Sequence, residues 1–239
     1  MKSLDRIART AGLGYLIIFI TGFFANFFVL EGLVVDGDAA ATFANIGNNP
    51  MQFRWGILSF LVMVMADVLL AWPLYLLLRP VNEHLSLLSA WLRLVNGAIF
   101  GVALVNLFGV LRLFSGAEYL ATFETATLQA RTMLLLDAFN YTWLIGLAFF
   151  GLHLLVLGYL VFRSGYFPKV LGLLLQLAAL GYLTDSFAQF LLLNYADYKA
   201  VFEMIVVIPG VVGEFSFTVW LLVKGVKSLS LNQNKKGPI

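Results

Sequence analysis

Three acidic residues, Asp67, Asp185 and Glu214, stand inside long apolar stretches of this 239-residue chain, and a fourth, Asp137, stands at the edge of one. A carboxylate at the centre of a bilayer costs about 2.5–3.5 kcal/mol even on the lenient insertion scale. Such a group persists when it is protonated and hydrogen-bonded, paired with a base, holding a cation, or facing a wet cavity. Spacing sorts the candidates by face. Asp185 and Gln189 are four apart and share one face of a helix, as do Glu203, Gly210, Glu214 and Thr218 along another. His153 and Asp137 fall on nearly opposite faces of their helix and cannot serve one site.

These side chains support three readings. In the first, an intramembrane polar cavity binds a small molecule, a lipid headgroup or an ion. Asp67, Asp185 and Glu214 accept hydrogen bonds or exchange protons, Asn106 and Gln189 orient the ligand, and Arg112 supplies charge at the mouth. Proton-coupled transport and sensing both fit this reading, although the chain is small and shows no clear inverted repeat. In the second, an intramembrane enzyme acts on a lipid-like substrate, with His153, Asp185 and Glu214 holding zinc or performing acid–base chemistry. In the third, an accessory subunit uses its acids only to join helices. The base available at mid-depth is His153, with Arg112 reaching inward, so at least one acid is expected to carry a proton or meet a ligand. No cofactor motif appears: HExxH, GxSxG, P-loop and dinucleotide fingerprints are all missing, and with no Cys there is no thiol chemistry. Membrane lipids are the expected partners and nucleic acid is not; homo-oligomerisation stays open.

The elements that must carry these residues follow from composition. Hydrophobic residues make up 61% of the chain and charged residues 12%, against roughly 45–50% and roughly 25% in soluble domains. No soluble fold of this size hides so much apolar surface. The expectation is all-α: one polytopic transmembrane bundle of six spans, at about 11–30, 55–78, 87–114, 132–162, 170–193 and 204–223. The first run is longer than a signal-peptide core and reads as an uncleaved span. The segment Ser115–Arg131 spaces Tyr119, Leu120, Phe123 and Leu128 for a short interfacial helix. Gly165 and Pro168 make a tight hairpin between spans four and five. Gly97, Gly101, Gly151 and Gly158 mark close helix approach, and Pro209-Gly210 marks a break one turn from Glu214.

Charge sets the orientation. Of 15 Lys and Arg residues, Arg54, Arg112, Arg131 and Lys199 fall on one side of the six spans. The other eleven, including Arg93, Arg163 and the tail residues Lys227, Lys235 and Lys236, fall on the side of both termini. The positive-inside rule then places both termini in the cytoplasm of a cell with this protein in its inner membrane.

The segments Gly151-Leu152-His153-Leu154-Leu155, Gly158-Tyr159-Leu160, Arg163-Ser164-Gly165-Tyr166 and Pro168 resemble a prokaryotic membrane family known as domain of unknown function 4386. The likeness continues through Leu171-Gly172, Gly181-Tyr182-Leu183, Asp185-Ser186-Phe187, Gly213-Glu214 and Trp220-Leu221-Leu222, and in span three from Leu94-Val95 to Asn106-Leu107. The resemblance implies a multi-pass helical membrane protein and transfers no catalytic residue. His153, Arg163, Asp185 and Glu214 lie in its most family-like stretches.

Overall fold

The structure is a computed structural model and describes residues 2–226. The expected basic tail with Lys227, Lys235 and Lys236 lies outside the described residues. Eight α-helices account for nearly all of the described chain: α1 (Lys2–Phe23), α2 (Glu31–Leu33), α3 (Ala39–Asn48), α4 (Pro50–Leu78), α5 (Glu83–Leu113), α6 (Thr125–Arg163), α7 (Lys169–Leu191) and α8 (Lys199–Val223). A π-helical segment, Phe24–Leu30, joins α1 to α2 without a break, so the first span is one long rod. Among the described residues there is no strand. Six of these rods are long and apolar enough to cross a membrane. In lipid every backbone N–H and C=O must find a partner inside its own segment, which leaves helices as the solution here. Large side chains such as Leu69, Trp72, Leu134 and Leu191 project outward from them.

Local chemistry sets the ends. The Asp38 side chain accepts from Ala41 N at the start of α3, and Asn82 Oδ1 accepts from Leu85 N at the start of α5. The turn between α6 and α7 places Gly165 at φ 66°, a backbone conformation that glycine adopts without a Cβ penalty. Each spanning helix packs on its neighbours in chain order, and α8 returns to α1, closing a ring. Helices α6 and α7 approach closely where Gly158 and Gly172 face each other; a Cβ on Gly172 would come within 2.6 Å of the Gly158 carbonyl oxygen.

Several local expectations change. The helices begin before the expected spans, α5 at Glu83, and Arg93, counted with the cytoplasmic-side charges, is buried within the bundle. The Ser115–Arg131 segment holds a five-residue 3-10 turn, Glu118–Thr122, and Leu128 belongs to α6. A Cβ on Gly101 would meet nothing within 4 Å, so no close helix approach depends on that glycine. Pro209 lies inside an uninterrupted α8. Glycine and proline spacing reports what a backbone tolerates, and packing decides whether the tolerance is used.

The apolar interior falls into two clusters. One gathers Tyr15, Leu74, Leu154, Leu175 and Phe217; the other gathers Phe60, Met63, Phe100, Leu107 and Phe139. On α4 the residue between the two is Asp67, flanked by Val64 of one cluster and Leu70 of the other. That polar layer is where the side chains of chemical interest collect.

Candidate functional site

Helix α5 carries a buried polar stripe, Ser86, Ser89, Arg93 and Asn96, at the 3–4 spacing that keeps residues on one helix face. Arg93 has no exposed surface. Its guanidinium donates through Nη2 to Asp67 Oδ1, through Nε to the Asp67 carbonyl (3.1 Å) and through Nη1 to Tyr15 Oη (3.4 Å). Nη1 also lies 2.9 Å from His153 Nε2. Arg donates and cannot accept, so His153 Nε2 must be the acceptor and Nδ1 must carry the ring proton. That assignment suits the 2.8 Å contact from His153 Nδ1 to the Ser89 carbonyl oxygen. Asn96 Nδ2 donates to the second carboxylate oxygen of Asp67 at 2.9 Å. The Arg93 guanidinium also lies 5.0 Å from the ring centre of Tyr15 and 5.7 Å from that of Phe150.

Fully desolvated ion pairs persist only when good geometry and further hydrogen bonds offset the loss of water. Asp67 and Arg93 meet that condition with partners from α1, α4, α5 and α6. The remaining group is Glu214 on α8. Among the described residues its carboxylate takes one side-chain hydrogen bond, from Tyr182 Oη at 3.1 Å. Gly210, one turn earlier on α8, leaves room for that hydroxyl: a Cβ there would sit 3.1 Å from it.

Asp67, Arg93, Asn96, Tyr182 and Glu214 line a cavity of about 310 Å³ whose other walls include Phe19, Phe23, Phe27, Met63, Phe100, Trp143 and Phe150. Phe100 and Trp143 stack with centroids 3.6 Å apart. Gly146 makes room for that pair, since a Cβ there would meet the Phe100 ring at 2.5 Å. Helices α1 and α8 touch through Gly12 and Leu222, Tyr15 and Phe217, and Phe19 and Phe215. Beyond Phe19 the π-helical segment packs on α4, and cavity-lining Phe23, Phe27, Val207 and Val211 are exposed on the outer surface. The cavity thus reaches the side of the bundle between the π-helical segment and the first half of α8. At the tip of this fork an exposed ion pair joins Lys199 to Asp36 at 3.3 Å.

The sequence candidates distribute unevenly over this geometry. Asp67 and Glu214 line the cavity. Asp185 does not; its two oxygens take hydrogen bonds from Tyr195 Oη (2.6 Å) and Gln189 Nε2 (2.9 Å), so these groups satisfy one another near the end of α7. Asn106 donates to the Ala103 carbonyl of its own helix, and Arg112 is exposed and donates to Tyr119. His153, Asp185 and Glu214, the set considered for zinc, each have separate partners, and among the described residues no three His, Asp or Glu side chains stand close enough to share a metal. The physical reason is rotational: depth along a helix is readable from the sequence, but the facing direction of each helix comes from its packing. Base supply also needs correction, because the partner of Asp67 is Arg93, which the charge count had placed on the cytoplasmic side and not among the mid-depth bases.

A family model described as "Domain of unknown function (DUF4386)" matches residues 10–225. The chain belongs to that family. It is also similar to an "Uncharacterized protein" of Archaeoglobus fulgidus, 33% identical over 173 residues, which is 72% of this chain and 85% of that protein. No solved structure matches the chain. This DUF4386 member is an integral, multi-pass membrane protein. The matched region contains every residue of the polar layer, from Tyr15 to Glu214. Sequence reasoning passed over Arg93, Asn96, Tyr15 and Tyr182. The Ser86-Ser89-Arg93-Asn96 periodicity was the signal for the first two; nothing in the linear order pointed to the tyrosines.

Proposed function

We propose that this protein binds a lipid-soluble small molecule in the cavity, with the polar end of the ligand toward Glu214 and the Asp67–Arg93 pair. The single observation that carries the reading is the combination of a mostly apolar, aromatic-rich cavity with a few convergent polar groups and an opening on the lipid-facing side of the ring. Ligand sites have this makeup: apolar walls for burial, and a small number of polar groups for orientation. The π-helical segment beside the opening is a second support, because such segments recur at functional sites. Both termini are taken as cytoplasmic and the membrane as the inner membrane of a prokaryotic cell, on the Lys and Arg distribution.

Access from lipid is tested with a variant that keeps only Trp143, the other four Trp being changed to Phe, in bilayers of phospholipids brominated along the acyl chain. Trp143 fluorescence should be quenched, and Val211→Phe at the opening should reduce that quenching. Equal emission in brominated and ordinary lipid would refute lateral access.

A further inference from the structure

The charge balance of the cavity identifies its ligand more closely; the argument rests on the binding role proposed above. Three charged side chains line the cavity: Asp67, Arg93 and Glu214. The first two cancel, and the hydrogen bonds of Arg93 go to Asp67, Tyr15 and His153. Glu214 is left with the Tyr182 hydroxyl as its side-chain partner among the described residues. A carboxylate out of water with one hydrogen bond attracts positive charge. Since His153 accepts from Arg93, its ring is neutral and offers Glu214 no counter-charge.

The kind of positive charge follows from the surroundings. A small metal cation needs several oxygen or nitrogen ligands, and no three His, Asp or Glu side chains converge among the described residues. A lipid-facing opening bordered by Phe23, Phe27, Val207 and Val211 disfavours a hydrated ion. An organic cation needs one carboxylate and aromatic walls, and the rings of Phe100, Trp143, Phe150 and Tyr182 supply the walls. The molecule already uses this device a short distance away, where Arg93 rests over Tyr15 and Phe150.

We propose that the cavity accepts a lipid-soluble organic cation, such as a quaternary or protonated amine with an apolar body, with Glu214 as its counter-ion. The cation enters from the bilayer between the π-helical segment and α8, and its charge stops beside Glu214. The Asp67–Arg93 pair, its two charges turned on each other, holds the helices that shape the far wall.

The test compares benzyltrimethylammonium with its uncharged carbon isostere, neopentylbenzene, on the full-length Trp143-only protein in nanodiscs. Trp143 emission is followed against the concentration of each compound within the disc. The cation should bind saturably and at least about thirtyfold more tightly than the isostere, the lower bound for an interaction with a desolvated charge. Glu214→Gln, which keeps an oxygen for Tyr182, should lose at least about tenfold in cation affinity and leave isostere binding unchanged. The comparison on unsubstituted Glu214 needs no folding control, since both compounds meet the same protein. Equal binding of the two compounds, or full cation affinity in Glu214→Gln, overturns the counter-ion role while the cavity keeps its lipid-soluble ligand. If neither compound binds but brominated lipids still quench Trp143, the cation proposal falls alone. Absence of both signals removes the binding role as well.

Discussion

Replacing Arg93 with Met removes the one positive charge in a fully buried polar layer, and the structure sets the size of the penalty. Arg93 and Asp67 are both buried, and Asp67 would keep only the Asn96 amide as a side-chain partner. Stranding one member of a buried ion pair costs about 3–5 kcal/mol. Asp67→Asn strands the guanidinium and should cost the same order. The double substitution strands neither member of the pair, so it should cost about as much as one single change, giving a coupling of roughly 3–5 kcal/mol. Tyr15 Oη and His153 Nε2 lose a donor in either variant with Met at position 93, which sets a floor on the double variant's loss of about 1–3 kcal/mol. Reversible unfolding in mixed detergent micelles measures all four corners of the cycle. The surface pair Lys199–Asp36, more than half exposed on both partners, is the control; its coupling should stay within about 1 kcal/mol. If the double variant loses the sum of the two single losses, Arg93 and Asp67 stabilise the bundle independently and the paired-layer argument is wrong.

Other consequences are simpler to check. Gly172→Ala should lower the thermal unfolding midpoint, with a loss of about 1–3 kcal/mol, because its Cβ would meet backbone atoms of Phe162 and Gly158; Gly101→Ala, which meets nothing, should be neutral or slightly stabilising. Gly146→Ala should push the Phe100 ring out of its stack with Trp143, shifting Trp143 emission and weakening benzyltrimethylammonium binding; an unchanged spectrum would show that the pair relaxes without moving. Tyr182→Phe removes the hydrogen bond to the Glu214 carboxylate and should cost about 1.5–3 kcal/mol in unfolding free energy without abolishing cation binding. Because the chain has no Cys, single cysteines report topology directly. In intact cells a membrane-impermeant maleimide should label Ser115→Cys and spare Ser164→Cys; the reverse pattern would invert the proposed orientation.

Legibility in the sequence differed sharply between fold and site. A mean hydropathy of +0.91 and six apolar runs were enough for the architecture, because hydrocarbon leaves a single-chain segment little choice but helix. The same runs located Asp67 and Glu214 in depth, since rise per residue is constant along a helix. They counted Arg93 as a cytoplasmic-side charge, because a basic residue in the first turns of an apolar run looks like an interfacial anchor until packing shows that it faces Asp67. They also grouped Asp185 with Asp67 and Glu214, although its carboxylate is taken up by Gln189 and Tyr195.

What the amino-acid order determined alone was the solvent, the number of crossings and the presence of costly polar groups among them. Only the tertiary structure decided which of those groups meet. Closing the ring brings α1 and α6 against α4 and α5, so Tyr15 and His153 reach Arg93 from distant parts of the chain. The bilayer acts on each segment separately and is blind to rotation about its axis. Rotation is set by side-chain packing, at contacts such as Gly158 on Gly172 and Phe100 on Trp143, and that packing turns Glu214 toward the aromatic cavity while Asp185 is satisfied beside Tyr195.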